Sequence, residues 1–358
     1  MTHRFLSHAS LTALVAELVA AKTRVIAPVR AQDDPEQVDY RPIHKLEDAA
    51  LGVRLTRGSL KEFFLPPTEV LLHYKQTKEG VEIREVPTEA PPQVILGSTP
   101  CDAAALEVVD KVMGWDYRDE LWFGRRAAST IVSLLCTAMD STCFCTATGL
   151  GPDSFRGSDA LLVPVEGGYL ANVITPKGEA LLQKYAEADE SMKASAEAAQ
   201  GEARQKVEKN LAAIPPEFSA WLATNFDNPI WKTIALRCHG CGACAGVCPT
   251  CHCFDIVDEH DTADEGVRRR NWDSCQTSKF TLHASGHNPR QSQSERFRQR
   301  IQHKFSIYPS RFAEILCTGC GRCTRACPGG MDLPKLLDEL MTLAKSEAKS
   351  SEPKGSSL

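Results

Sequence analysis

The stretch that decides the fold lies between Cys238 and Pro328, and it begins and ends with the same pattern of cysteines. It opens with Cys238-His-Gly-Cys241-Gly-Ala-Cys244-Ala-Gly-Val-Cys248-Pro249 and closes with Cys317-Thr-Gly-Cys320-Gly-Arg-Cys323-Thr-Arg-Ala-Cys327-Pro328. Both runs read C-x2-C-x2-C-x3-C-P, which is the ligand spacing of paired [4Fe-4S] clusters. The sequence therefore predicts two [4Fe-4S] clusters that lie close together.

In this spacing three thiolates hold one cube, and the fourth cysteine of the run ligates the other cube. The predicted ligands of the first cluster are Cys238, Cys241, Cys244 and Cys327, and those of the second are Cys317, Cys320, Cys323 and Cys248. Glycines between the ligands let the backbone curl and aim N–H groups at the sulfurs. Zinc sites are the alternative, but zinc ribbons use two separate C-x-x-C pairs and do not chain three cysteines.

Length, charge and composition narrow the class of protein. The chain has 358 residues, a net charge of -5 and fifteen cysteines. Residues 1–30 lack the pattern of a signal peptide, so the cysteines indicate a reducing compartment, and we expect a cytoplasmic protein. Since no apolar run approaches the roughly 20 residues that span a bilayer, we expect no direct membrane insertion.

Hydrophobic periodicity predicts an α/β N-terminal domain followed by an α-helical two-cluster ferredoxin domain. Residues 9–22 have helical spacing, residues 24–29 indicate a strand, and residues 94–135 indicate strand, helix and strand. We expect an α/β domain at 1–183, a helical linker at 184–216, the ferredoxin domain at 217–345 and a disordered tail at 346–358.

Four more cysteines lie beyond the two predicted parallel strands of the first domain. Because loops after parallel neighbours meet at one sheet edge, we expect these thiols to converge. They would form a third [4Fe-4S] cluster, although zinc, another metal or plain burial would also explain them, and Asp102 could replace one ligand. The four are Cys101, Cys136, Cys143 and Cys145.

The insertion between the two runs adds three cysteines and many positive charges. Cys251, Cys253 and Cys275 could complete a metal site with Asp255 or His252, but burial without a metal is the preferred interpretation. From Arg268 to Arg311 there are ten Lys or Arg and two acids. We interpret this run as compensation of cluster charge and a docking surface for an acidic partner; nucleic-acid binding is the alternative.

Motifs along residues 60–335 resemble one family, the beta subunits of cytosolic sulfhydrogenase-type nickel-iron hydrogenases, with the similar A subunit of anaerobic sulfite reductase. The resemblance rests on Phe63-Phe-Leu-Pro-Pro-Thr-Glu69, Pro100-Cys-Asp102, Cys136, Cys143-Phe-Cys145, Cys248-Pro-Thr-Cys-His-Cys-Phe-Asp255, Trp272-Asp-Ser-Cys275, Gly286-His-Asn288 and the Cys317 run. One departure from the family is Thr99, because the family has arginine at this position, directly before Pro100-Cys-Asp102. Since the positive charge is missing here, the resemblance does not imply that this loop binds an anion.

The resemblance implies an electron-transfer subunit of an oxidoreductase complex with no substrate-converting site of its own. A flavoprotein partner would hold FAD and exchange hydride with NAD(P)H, and the hydrogenase small and large subunits would use the electrons. In the sulfite reductase branch a sirohaem subunit would take their place. Hypotheses of other classes are an iron-sulfur sensor or nucleic-acid-binding protein, and a structural subunit whose metals only stabilise the fold.

Overall fold

The computed structural model describes residues 2–52, 55–207 and 210–351. The chain divides into two compact units. The first comprises Met1–Met139, Gly151–Val207 and Gly246–Ser274, and the second comprises Asp140–Leu150, Glu208–Ala245 and Cys275–Leu358. Each unit therefore contains pieces from distant parts of the sequence.

The first unit is built from both strands and helices. Its strands are β1 (Thr2–Ser7), β2 (Arg24–Arg30), β3 (Val38–Ile43), β4 (Thr68–Gln76), β5 (Val81–Glu85), β6 (Gln93–Ser98), β7 (Ser129–Leu134), β8 (Ala160–Val165), β9 (Gly168–Val173), β10 (Phe254–His260) and β11 (Glu265–Trp272). Its helices are α1 (His8–Ala20), α2 (Pro100–Met113), α3 (Glu120–Ala128), α4 (Pro176–Leu182) and α5 (Glu190–Lys206).

The main sheet has the order β1-β9-β8-β7-β6-β2-β3. Its centre, β8-β7-β6-β2, is parallel, and antiparallel strands close both edges. Alternate residues point to opposite faces of the sheet. Val94 and Leu96 pack on the face covered by α1 and α4, whereas Ile95 packs on the opposite face against α2. The predicted α/β character of the N-terminal region is thereby confirmed.

A second, antiparallel sheet in the first unit has the order β10-β11-β4-β5. The three arginines of β11 come from the predicted basic run but pair with acids of the same unit. Arg268 donates to Asp258 at 2.7 Å, Arg269 donates to Glu259 at 2.7 Å, and the buried Arg270 contacts Glu69. This part of the run is therefore neutralised within the sheet.

The described part of the second unit contains helices around its own core. They are α6 (Glu217–Thr224), α7 (Ile230–Ile234), α8 (Ala243–Gly246), α9 (Gln293–Gln302), α10 (Tyr308–Phe312), α11 (Arg322–Arg325) and α12 (Leu333–Ser351), and a short π-helix at His303–Ile307 joins α9 to α10. Phe218 and Leu222 of α6, Ile301 of α9 and Leu337 of α12 form the centre of that core.

The unit boundaries differ from the predicted ones at three places. The predicted linker 184–216 is divided between the two units after Val207, and α5 packs through Ala196 and Ala203 on the main sheet of the first unit. Residues 246–274 belong to the first unit because β11 pairs with β4. Residues 140–150 belong to the second, where the Phe144 N–H donates to the Gly319 carbonyl at 2.8 Å. Helix α12 continues to Ser351, so residues 346–351 of the predicted disordered tail are helical, and the rest of that predicted tail lies outside the described residues.

Within the described residues no helix has the length and apolar character of a bilayer-spanning segment.

Candidate metal centre

A cavity in the second unit brings together the four predicted ligands of the first cluster. Its lining includes Cys238, Cys241, Cys244 and Cys327, together with Gln276, Phe297, Arg300, Ile301, Cys323, Leu333 and Leu336. A cluster fits this chemistry, because a cube needs four thiolates around a space that its iron and sulfide atoms fill. In residues 2–52, 55–207 and 210–351, no group of three or more His, Cys, Asp or Glu is placed to hold a single metal ion.

Both cysteine runs have the same backbone shape in the positions between their ligands. Gly240 and Gly242 have φ of +69° and +75°, and Gly319 and Gly321 have φ of +64° and +71°. Left-handed backbone is readily adopted only by glycine, so these residues permit the tight curl of each run. The curl aims N–H groups at sulfur as expected, since the Gly319 N–H donates to Cys317 Sγ at 3.4 Å.

Positive charge is buried beside the cavity. Arg300 is 4% exposed, lines the cavity and donates from Nη2 to the Cys244 carbonyl at 3.2 Å. A cube with four thiolates carries about two negative charges when oxidised, so a nearby guanidinium offsets that charge in a dry environment. The sequence predicted that the basic run as a whole would compensate the negative charge of the clusters. At this cavity Arg300 of α9 supplies such a positive charge.

The second cysteine run packs against the 140–150 segment of its own unit. A Cβ on Gly319 would lie 2.5 Å from Cys145 Cα, and Arg325 donates to Asp140 at 2.9 Å and to the Cys320 carbonyl at 2.9 Å. Burial raises the pKa of the Cys145 thiol, and the neighbouring Cys320 adds to the rise. Burial also raises the pKa of Cys143 to about 11. At neutral pH both thiols therefore keep their protons unless a bound metal displaces them.

The other two predicted ligands of the third cluster lie in the first unit. Cys101 is in the first turn of α2, and Thr99 Oγ1 lies 3.2 Å from its Sγ. Cys136 follows β7 and lines a cavity with Tyr40 and Thr99. Cys101 and Cys136 thus follow neighbouring parallel strands, as predicted, but Cys143 and Cys145 belong to the other unit. The third cluster stays a prediction.

The remaining cysteines are distributed over both units. Cys248, the predicted fourth ligand of the second cluster, belongs to the first unit and is 7% exposed, and its Sγ lies 3.3 Å from Thr250 Oγ1. Cys251 and Cys253 are half-buried, and Cys275 is buried in the second unit. Their preferred interpretation, burial without a metal, also stays a prediction.

The sequence predicted charge compensation by the basic run as a whole, but it did not single out the polar side chains that surround the first cysteine run. In α9, Gln293 donates to the sulfur of Cys238, and Arg300 lines the cavity that the four cysteines share. Phe297 lies between them on the cavity wall. The spacing of four and then three residues places these side chains on one face of a helix. That periodicity was the available signal, but glutamine and arginine in a basic stretch are usually solvent-exposed.

Comparison with known proteins agrees with this geometry. Residues 237–331 match the model of the 4Fe-4S dicluster domain. Over 327 residues the chain is 30% identical to sulfhydrogenase 2 subunit beta of Pyrococcus furiosus, and the alignment covers 88% of this chain and 92% of that protein. A likeness of this extent covers the first unit as well as the cysteine runs. The chain therefore belongs to the family of sulfhydrogenase beta subunits.

Proposed function

We propose that this chain is the electron-transfer subunit of a nickel-iron hydrogenase complex. The observation that carries the proposal is the cavity lined by Cys238, Cys241, Cys244 and Cys327, which come from both cysteine runs. The likeness to a sulfhydrogenase beta subunit supports the hydrogenase branch over the sulfite reductase branch. The chain is thus proposed as a subunit of an oxidoreductase without a substrate-converting site of its own.

The proposed ligand sets are those of two clusters in the described cysteine runs. Cys238, Cys241, Cys244 and Cys327 would hold the first, and Cys317, Cys320, Cys323 and Cys248 the second. Each cluster, when bound, accepts or donates one electron. The protein supplies the thiolates, the N–H groups of the glycine turns and the buried Arg300 charge, and it keeps apolar side chains such as Phe297 and Ile301 at the cavity wall.

We further propose partners on either side of the chain. One is a cytoplasmic flavoprotein with FAD, which takes a hydride from NAD(P)H and releases single electrons. The other is the pair of small and large hydrogenase subunits. The family membership supports a complex of this kind. The alternative of a nucleic-acid-binding protein loses part of its basis, because Arg268, Arg269 and Arg270 pair with acids in the sheet.

The test is a Cys238→Ala variant in the assembled complex. We expect it to lose the first cluster and to stop NAD(P)H-linked hydrogen turnover, while each partner keeps its own dye-linked activity. Cys253→Ala is the matched control, because Cys253 is half-buried and lies outside both runs, and it should keep coupled turnover. Coupled turnover that survives Cys238→Ala would contradict the proposal.

A further inference from the structure

The thiol of Cys238 is contacted by a side-chain amide from a distant part of the second unit. Gln293, the first residue of α9, places its Nε2 3.0 Å from Cys238 Sγ. Backbone N–H groups also approach cluster ligands in this unit, as at Cys327, where the Met331 N–H lies 3.3 Å from Sγ. The Gln293 contact differs because a substitution can remove it without changing the backbone.

The surrounding hydrogen bonds fix which end of the Gln293 amide faces the sulfur. Arg296 donates from Nη2 to Gln293 Oε1 at 2.9 Å, so the oxygen is occupied by a guanidinium. The nitrogen then has two protons to donate, one toward Cys238 Sγ and one toward Gln276 Oε1 at 3.1 Å. Gln276 is oriented in turn, because its Nε2 donates to the Arg296 carbonyl at 2.9 Å. If the Gln293 amide were flipped, its oxygen would face the sulfur of Cys238 and the side-chain oxygen of Gln276, and both hydrogen bonds would be lost.

The same region holds the start of α9 in place. The Ser292 hydroxyl accepts from the Glu295 N–H at 3.3 Å, and the Glu295 carboxylate accepts from the Ser292 N–H at 2.7 Å. Opposite the amide, Gly240 leaves the necessary space, since a Cβ there would meet Gln293 Oε1. The donor is therefore presented to the sulfur by a capped helix and a network of side chains.

We propose that Gln293 raises the reduction potential of the cluster that Cys238 ligates. The inference rests on the proposed function, because it requires a cluster at Cys238. Reduction adds one negative charge to the cluster and its thiolates, and an N–H donor to a thiolate stabilises the more negative state. Removing the donor makes reduction harder at that cluster and leaves the ligands unchanged.

The experiment is an EPR-monitored redox titration of the full chain, purified anaerobically, with iron counted in each sample. Gln293→Leu removes the donor, and Gln293→Glu replaces it with a negative oxygen. Gln291→Glu is the control, since Gln291 is exposed and makes the same charge change just before α9. We expect Gln293→Leu to lower the reduced-to-oxidised ratio of one cluster about tenfold at fixed potential, which is about 59 mV for one electron. Gln293→Glu should lower it further, and the other cluster should not shift.

The outcomes separate the inference from the proposed function. If Cys238→Ala keeps all iron and every EPR signal, no cluster is ligated there and the proposed function fails with it. If Cys238→Ala loses a cluster but both Gln293 variants titrate like Gln291→Glu, the inference alone is overturned. Loss of the cluster in both Gln293 variants would also overturn it, because Gln293 would then be needed for assembly instead of setting the potential.

Discussion

Replacing Gly319 by alanine tests how the second cysteine run is packed. Gly319 has φ of +64°, and a Cβ there would lie 2.5 Å from the backbone of Cys145 and Phe144. The left-handed conformation costs about 1–2 kcal/mol for a residue with a side chain. Ordinary van der Waals contact begins at 3.4 Å, so the Cys145 backbone must move by about 0.9 Å. Such overpacking costs about 1–3 kcal/mol more, so we expect a total of about 2–5 kcal/mol.

Gly149→Ala is the matched control for this substitution. Gly149 is in the same unit and has φ of +77°, but a Cβ there would meet no described atom within 4 Å. It should therefore cost only the conformational part, about 1–2 kcal/mol. The difference between the two variants isolates the contact between the second run and the 140–150 segment.

The assay is anaerobic thermal unfolding followed by circular dichroism, with iron retention measured in parallel. Each kcal/mol should lower the Tm by about 3–5 °C, because the size of the second unit lies between the small and the medium-sized domains for which such shifts are known. We expect the larger shift and the loss of iron for Gly319→Ala. Equal Tm values for Gly319→Ala and Gly149→Ala would refute the packing described here, because the backbone clash would then be absent.

Two further predictions concern helices of the second unit. Leu337 occupies a fully buried position of α12, so Leu337→Ala should lower the free energy of unfolding by about 2–5 kcal/mol. Leu236 is 81% exposed, so Leu236→Ala should change that free energy by less than about 0.5 kcal/mol. Similar thermal shifts for the two variants would contradict the assigned core. The backbone N–H of Ser292 lowers the pKa of Glu295, so the charge-dependent stabilisation of α9 is present above the unfolded pKa and lost as pH falls through the lower folded pKa. Glu295→Gln should therefore weaken amide-exchange protection of α9 at neutral pH, by about a few tenths of a kcal/mol after solvent screening. At a pH where Glu295 is protonated, the variant and the wild type should be equally protected. A loss of protection that is the same at every pH would show that the charge of Glu295 does not stabilise α9.

Local patterns predicted those elements whose structure depends on near neighbours in the chain. Helix α1, strand β2 and the succession β6, α2 and β7 follow from hydrophobic periodicity, because each helix buries one face on the main sheet and the strands supply the buried residues of that sheet. The turn between β8 and β9 is equally local, since Gly167 there has φ of +76°, a conformation that glycine adopts readily. The curl of both cysteine runs followed from their glycines for the same reason.

Pairing between distant segments could not be predicted in this way. The β10–β11 hairpin lies between the cysteine runs, and it pairs with β4 because edge strands offer hydrogen bonds that sequence spacing does not reveal. The 140–150 segment likewise joins the second unit through contacts such as Phe144 to Gly319. Gln293 was missed because its role depends on Cys238, Gln276 and Arg296 together.

The most direct test of the central claim is the iron and acid-labile sulfide content of anaerobically purified protein, with EPR spectra recorded during stepwise reduction. The account predicts at least about eight irons per chain in two clusters that each take up one electron, and about twelve if Cys101, Cys136, Cys143 and Cys145 hold a third. Zinc in place of iron, or clusters that keep one redox state throughout the titration, would contradict an electron-transfer role for this chain.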